Sequence, residues 1–277
     1  MTMRERHLPC LGPDGFFKVA YTDWDGPRDA PPVVCVHGLT RNGRDFDALA
    51  RALSAYRRVI CPDMPGRGKS DWMATPGAYG YPLYLSVAAA LIARLDVEVV
   101  DWVGTSMGGL IGMMLAAQPD APVRRLVIND VGPFLPKAAL ERIGSYVGTD
   151  PRFEGIEDVE AYLRRVHAPF GPLSDAEWRH LAEHSSRPRE EGGLGLAYDP
   201  HIGDAFKGEL QDVALWEVWD RIRAPTLVVR GAVSDLLRPD TAERMGQRAR
   251  IVEFAGIGHA PALMAEDQIA AIRDFLG

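Results

Sequence analysis

What the chain lacks narrows the field first. No long run of Lys or Arg occurs in its 277 residues, and the formal net charge is −7. A nucleic-acid-binding protein normally carries a basic stripe, so that class is set aside. Cysteine is scarce: Cys10, Cys35 and Cys61 are too few, and wrongly spaced, for a disulfide framework or a thiolate metal site. Cys35 and Cys61 lie in apolar runs and read as small core side chains in a reducing compartment. The start, Met-Thr-Met-Arg-Glu-Arg-His, leads into no apolar stretch of the signal-peptide kind. The most apolar segment, Trp102 to Ala117, is too short and glycine-rich to span a bilayer. The expectation is a cytoplasmic protein with no membrane association. Oligomeric state is not readable.

Hydrophobic residues make up 47% of the chain and charged residues 25%, which is enough apolar side chain for a substantial core. The apolar runs are continuous rather than alternating. Val33–Val36, Arg58–Cys61, Val99–Val103, Leu126–Ile128, Thr226–Val229 and Ile251–Phe254 each read as a strand buried on both faces. Phe16–Trp24 is a further strand. Helical patterns fall between them at Asp45–Leu53, Tyr84–Leu95, Met107–Ala117, Thr241–Arg248 and Asp267–Leu276. Alternation of this kind predicts an α/β fold with a doubly wound, mostly parallel sheet. From Phe134 to about Val213 the rhythm breaks, and no convincing strand is visible. Helical patterns at Ala138–Val147, Ile156–His167 and Asp175–His184 predict a helical cap at 134–213, inserted in a core of residues 1–133 and 214–277.

The chemistry concentrates in a few places. Gly104-Thr105-Ser106-Met107-Gly108 follows a strand and opens a helix, the context in which a G-x-S-x-G turn presents its serine as a nucleophile. Val36-His37-Gly38-Leu39 ends another strand. With these two motifs the chain resembles the α/β-hydrolase family, in particular its cofactor-free esterases, lactonases and carbon–carbon hydrolases. The resemblance implies an oxyanion hole from the backbone N–H groups of Leu39 and Met107, with His37 supporting the loop. Cys61 to Asp71 looks like the family's D-x-x-G-x-G-x-S turn and reads as scaffolding. Its Gly68-Lys69-Ser70 ending is no phosphate loop, because Asp63 stands where that motif needs glycine.

The acid and base are expected late in the chain. His259 follows the last strand in Gly258-His259-Ala260-Pro261. Asp235 follows the preceding strand and is the favoured acid, and Asp130, after Leu126–Ile128, is the alternative. The expected reaction is acyl transfer to water from an ester-like small molecule with an apolar part, by a carboxylesterase or lactonase needing no cofactor or metal. A carbon–carbon hydrolase of ring-fission diketones, or a perhydrolase, would use the same triad. From other classes, a non-catalytic small-molecule receptor would have lost the triad. A zinc peptidase would use His180-Leu181-Ala182-Glu183-His184, where two histidines four apart share a helix face.

Overall fold

The computed structural model describes residues 2–277. The chain begins with two antiparallel strands, β1 (Met3–Gly12) and β2 (Gly15–Trp24), joined at a tight turn. Then come β3 (Val33–Val36), α1 (Asp47–Leu53), β4 (Val59–Pro62), α2 (Tyr81–Arg94), β5 (Val100–Thr105), α3 (Met107–Ala116) and β6 (Val123–Asn129). After the 134–213 segment follow α7 (Trp216–Arg221), then the second half of the sheet. That half is β11 (Thr226–Gly231), α8 (Pro239–Met245), β12 (Arg250–Phe254) and α9 (Glu266–Leu276). The intervening segment carries β7 (Phe134–Leu135), α4 (Lys137–Gly144), α5 (Ile156–Val166), α6 (Asp175–Ser185), β8 (Ser186–Pro188), β9 (Leu194–Leu196) and β10 (Val213–Ala214).

One eight-stranded sheet runs in the order β1-β2-β4-β3-β5-β6-β11-β12. From β4 onward the pairs are parallel, while β1–β2 and β2–β4 are antiparallel. The continuous apolar runs have the expected cause. In β3, Val34 and Val36 enter one core with Trp102 and Ile128, while Val33 and Cys35 enter another with Leu49, Val127 and Ile272. Both faces are covered, so both side-chain sets must be apolar.

Two places differ from the sequence reading. β1 is a full strand, although only two of its side chains, Leu8 and Cys10, are buried. Charged residues such as Arg4, Glu5 and Arg6 suit an edge strand exposed on both faces, and this hides its period. The 134–213 segment is also not purely helical. Phe134–Leu135 pairs with Val213–Ala214, closing the two ends of the segment, and Ser186–Pro188 pairs with Leu194–Leu196 in a hairpin. Ladders of two or three residues are too short to show periodicity. Among the described residues no helix is long and apolar enough to cross a membrane.

Candidate active site

The elbow that carries Ser106 is built from close approach. Ser106 lies between β5 and α3 with φ 51°, a left-handed backbone that only tight context sustains. The glycines around it are steric necessities. A Cβ on Gly104 would stand 2.1 Å from the Gly108 carbonyl oxygen, and one on Gly108 would stand 2.0 Å from that of Val36. The Trp102 indole Nε1 donates to the Gly108 oxygen at 3.0 Å and pins the start of α3 against β5. Helix α3 opens at Met107, so its first N–H groups have no intrahelical acceptor.

His259 sits on the loop between β12 and α9. Its Nε2 is 3.0 Å from Ser106 Oγ, and its Nδ1 is 2.8 Å from Asp130 Oδ2. Asp130 is fully buried. Besides the imidazole, its carboxylate accepts from the Gly231 N–H at 2.8 Å and the Ser234 hydroxyl at 2.6 Å. Asp130 itself has φ 57°, and its N–H donates to Val229 O across the sheet. Asn129 spans the same corner. Its Nδ2 donates to Thr105 Oγ1 and to the Pro261 carbonyl, tying the serine strand to the histidine loop.

The favoured acid from sequence is therefore corrected. Asp235 does not meet His259; it forms a two-point ion pair with Arg142 of α4, with Nη2 2.9 Å from Oδ1 and Nε against Oδ2. Its side chain is about half exposed, at 47%. The reason is strand order. β6 lies between β5 and β11, so its C-terminal end stands directly beside the serine strand. The turn after β11 spends Ser234 on Asp130 and carries Asp235 outward.

Leu39 and Met107 both line a cavity of about 120 Å³ that also contains Ser106 and His259. The loop holding Leu39 is fixed from behind. The buried Arg67 donates through Nε to the Leu39 carbonyl at 2.9 Å and through Nη1 to Pro65 O and Tyr84 Oη. His37 accepts the Met64 N–H on Nε2 at 2.9 Å, so Nδ1 carries the proton donated to Gly38 O at 2.7 Å. Burial pushes the His37 pKa down to about 3, and Arg67 and Arg41 add to that shift. An unfolded histidine titrates near about 6.5. Below that pH the unfolded chain takes up a proton that folded His37 refuses, so its contribution to stability is full above about pH 6.5 and is lost towards about pH 3. The expected slope is about 1.4 kcal/mol per pH unit, and denaturant unfolding of wild type and His37→Gln between about pH 7 and about pH 5 reads it. Equal slopes for the two proteins would contradict the assignment. The Asp63 carboxylate holds the turn behind this loop through the N–H groups of Gly43 and Lys69.

Half of the rest of the cavity wall comes from the 134–213 segment, including Leu135, Ile143, Tyr146, His167, Phe170 and Phe206. His167 stacks on Phe170, with ring centroids 4.6 Å apart, and burial holds its pKa well below the usual histidine range. Two cavity residues escaped the sequence reading, Arg142 and Arg41, each paired to one carboxylate through Nε and Nη2. Nothing local in the sequence marks an arginine as cavity-lining. His180 and His184 lie on α6 and take no part in this site.

Residues 33–272 match the alpha/beta hydrolase family. The chain belongs to that family. It is 45% identical to a 3-hydroxybutyrate-oligomer hydrolase of Cupriavidus necator, over 97% of this chain and 96% of that protein. A 2-hydroxy-6-oxo-2,4-heptadienoate hydrolase of Pseudomonas putida is 31% identical over 82% of each. Among solved structures, an alpha/beta hydrolase from Novosphingobium aromaticivorans superposes with a TM-score of 0.89 at 36% identity, covering 99% of this chain and 98% of the other. Fold and relatives together mark this α/β-hydrolase as a hydrolytic enzyme.

Proposed function

We propose that the protein is a serine carboxylic ester hydrolase working through an acyl-enzyme, with Ser106 as nucleophile, His259 as base and Asp130 as acid. The observation that carries this reading is the continuous chain from Ser106 Oγ to His259 Nε2 at 3.0 Å, and from Nδ1 to Asp130 Oδ2 at 2.8 Å. His259 takes the hydroxyl proton as Oγ attacks the ester carbonyl, and Asp130 sets the tautomer and stabilises the imidazolium. The N–H groups of Leu39 and Met107 receive the oxyanion. The proton then passes to the leaving alcohol, and water repeats the sequence on the acyl-enzyme. The 134–213 segment acts as a cap that supplies most of the substrate contacts.

The substrate class follows from the cavity and the 45%-identical relative. Among the described residues the cavity lining is mainly apolar and includes Arg41 and Arg142 but no Asp or Glu. An oligoester of a short hydroxy acid offers an apolar repeating chain and one terminal carboxylate. Asp235 holds Arg142 by Nε and Nη2 and the Tyr146 hydroxyl lies against the same guanidinium, so that carboxylate would be received by Nη1 beside Tyr146.

The test compares dimers and trimers of 3-hydroxybutyrate, as free acids and as methyl esters, with a vinylogous diketone as the carbon–carbon control. Ester turnover with higher kcat/KM for the free acids is expected. Arg142→Ala should raise KM for the free acids roughly 10- to 100-fold, the worth of a charge-assisted hydrogen bond, with a smaller change for the methyl esters. A folded protein that turns over only the diketone would overturn the ester reading. Equal KM changes on both ester forms would remove the carboxylate contact alone.

A further inference from the structure

Away from the catalytic cavity, α6 of the 134–213 segment packs on the turn that leads into α1. Asn42 Nδ2 donates to the His184 carbonyl at 2.9 Å, and His180 Nε2 donates to Arg44 O at 3.0 Å. The two histidine rings, one helical turn apart, face each other edge-on with centroids 4.5 Å apart. Asp47, buried at the start of α1, completes a triangle. Its Oδ2 is 3.7 Å from His180 Nε2, and ligand atoms of Asp47, His180 and His184 all lie within 4.8 Å of one another.

We propose that Asp47, His180 and His184 form a site for a single zinc ion that fastens the 134–213 segment to the core. Two imidazoles and a carboxylate are a donor set that Zn²⁺ accepts, with water in the fourth position. Bonds of about 2 Å in a tetrahedron put ligand atoms roughly 3.4 Å apart, so the present spacings need only a modest contraction. His184 also borders a cleft of about 500 Å³, shared with Arg44 and Asn42, which provides entry for the ion and space for the water.

The competitor is on the page. Arg44 clasps Asp47, with Nε 2.9 Å from both carboxylate oxygens and Nη2 2.5 Å from Oδ2. Zinc must displace this guanidinium, and the His180 proton must shift from Nε2 to Nδ1. Arg44 is thus an internal stand-in for the cation, and its removal should strengthen metal binding. This bridge would not make the protein a zinc peptidase, because the cavity containing Ser106 is lined by none of the three ligands.

The probe is zinc chloride added to the full chain after chelator treatment, read by calorimetry and thermal unfolding. Cobalt supplies a visible absorption for tetrahedral geometry. The expected result is saturation at one ion per chain with a raised Tm. His180→Ala and His184→Ala should each weaken binding by about tenfold or more, and Arg44→Gln should tighten it. Without metal, His184→Ala should keep the wild-type Tm and His180→Ala should lose only the small contribution of its bond to Arg44 O, with both variants keeping a cooperative unfolding transition, which separates lost ligation from lost folding. Absence of saturable binding in both wild type and Arg44→Gln overturns the proposal. So does unchanged binding in the His180→Ala/His184→Ala double variant.

Discussion

Asp130→Asn is expected to lower kcat for ester turnover by about 10⁴, or about 5.5 kcal/mol of transition-state stabilisation. The carboxylate accepts three hydrogen bonds, from the Gly231 N–H, Ser234 Oγ and His259 Nδ1. An amide has one acceptor oxygen where the carboxylate has two. Either its NH₂ group takes the Oδ2 place and faces the imidazole and Ser234, forcing the proton onto Nε2 where it cannot take one from Ser106, or it takes the Oδ1 place, meets the Gly231 N–H and breaks the turn. The first arrangement disables the base, and the second disturbs the turn that holds it. The contrast with Asp235→Asn makes the test decisive. Asp235 is half exposed and pairs with Arg142 through both carboxylate oxygens. Its loss frees Arg142 and should change KM for carboxylate-bearing substrates while leaving kcat within about tenfold. Measured on one ester, an inactive Asp235→Asn beside an active Asp130→Asn would reverse the assignment.

Ser106→Ala carries the second large effect. Removing Oγ removes the bond-forming atom, so the expected loss is about 10⁴ or more, with any residual rate coming from substrate positioning and the oxyanion donors. Stability should hardly move. The backbone at φ 51° is set by the approach of Gly104 and Gly108 to neighbouring carbonyls, and the hydroxyl has His259 as its hydrogen-bonding partner. Unchanged thermal unfolding with abolished turnover is the expected pair of results. Near-full activity in the purified variant would place the chemistry elsewhere.

The elbow and the parallel strands were legible because they write themselves locally. Val33–Val36 and Leu126–Ile128 are apolar without alternation since both faces of the sheet are covered, and Gly104 and Gly108 flank Ser106 because no Cβ fits there. The position of His259 on the loop after the last strand was also legible. Which aspartate meets its ring was not, because the choice between Asp130 and Asp235 is a question of strand order. Proximity along the chain pointed to Asp235, yet β6 stands next to β5 in the sheet. Arg67 and Arg142 stayed hidden for a related reason. Each acts through distant partners, the Leu39 carbonyl and Asp235, which sequence spacing does not reveal.

The central claim is that Ser106, driven by His259 and Asp130, becomes acylated during turnover. The most direct measurement is intact-mass and peptide-level mass spectrometry after reaction with a fluorophosphonate, run in parallel on wild type, Asp130→Asn and Asp235→Asn. One adduct per chain is expected, on the peptide carrying Ser106. Its formation should be rapid in wild type and Asp235→Asn, and slowed by orders of magnitude in Asp130→Asn. An adduct on another residue, or rapid labelling of Asp130→Asn with slow labelling of Asp235→Asn, would contradict it.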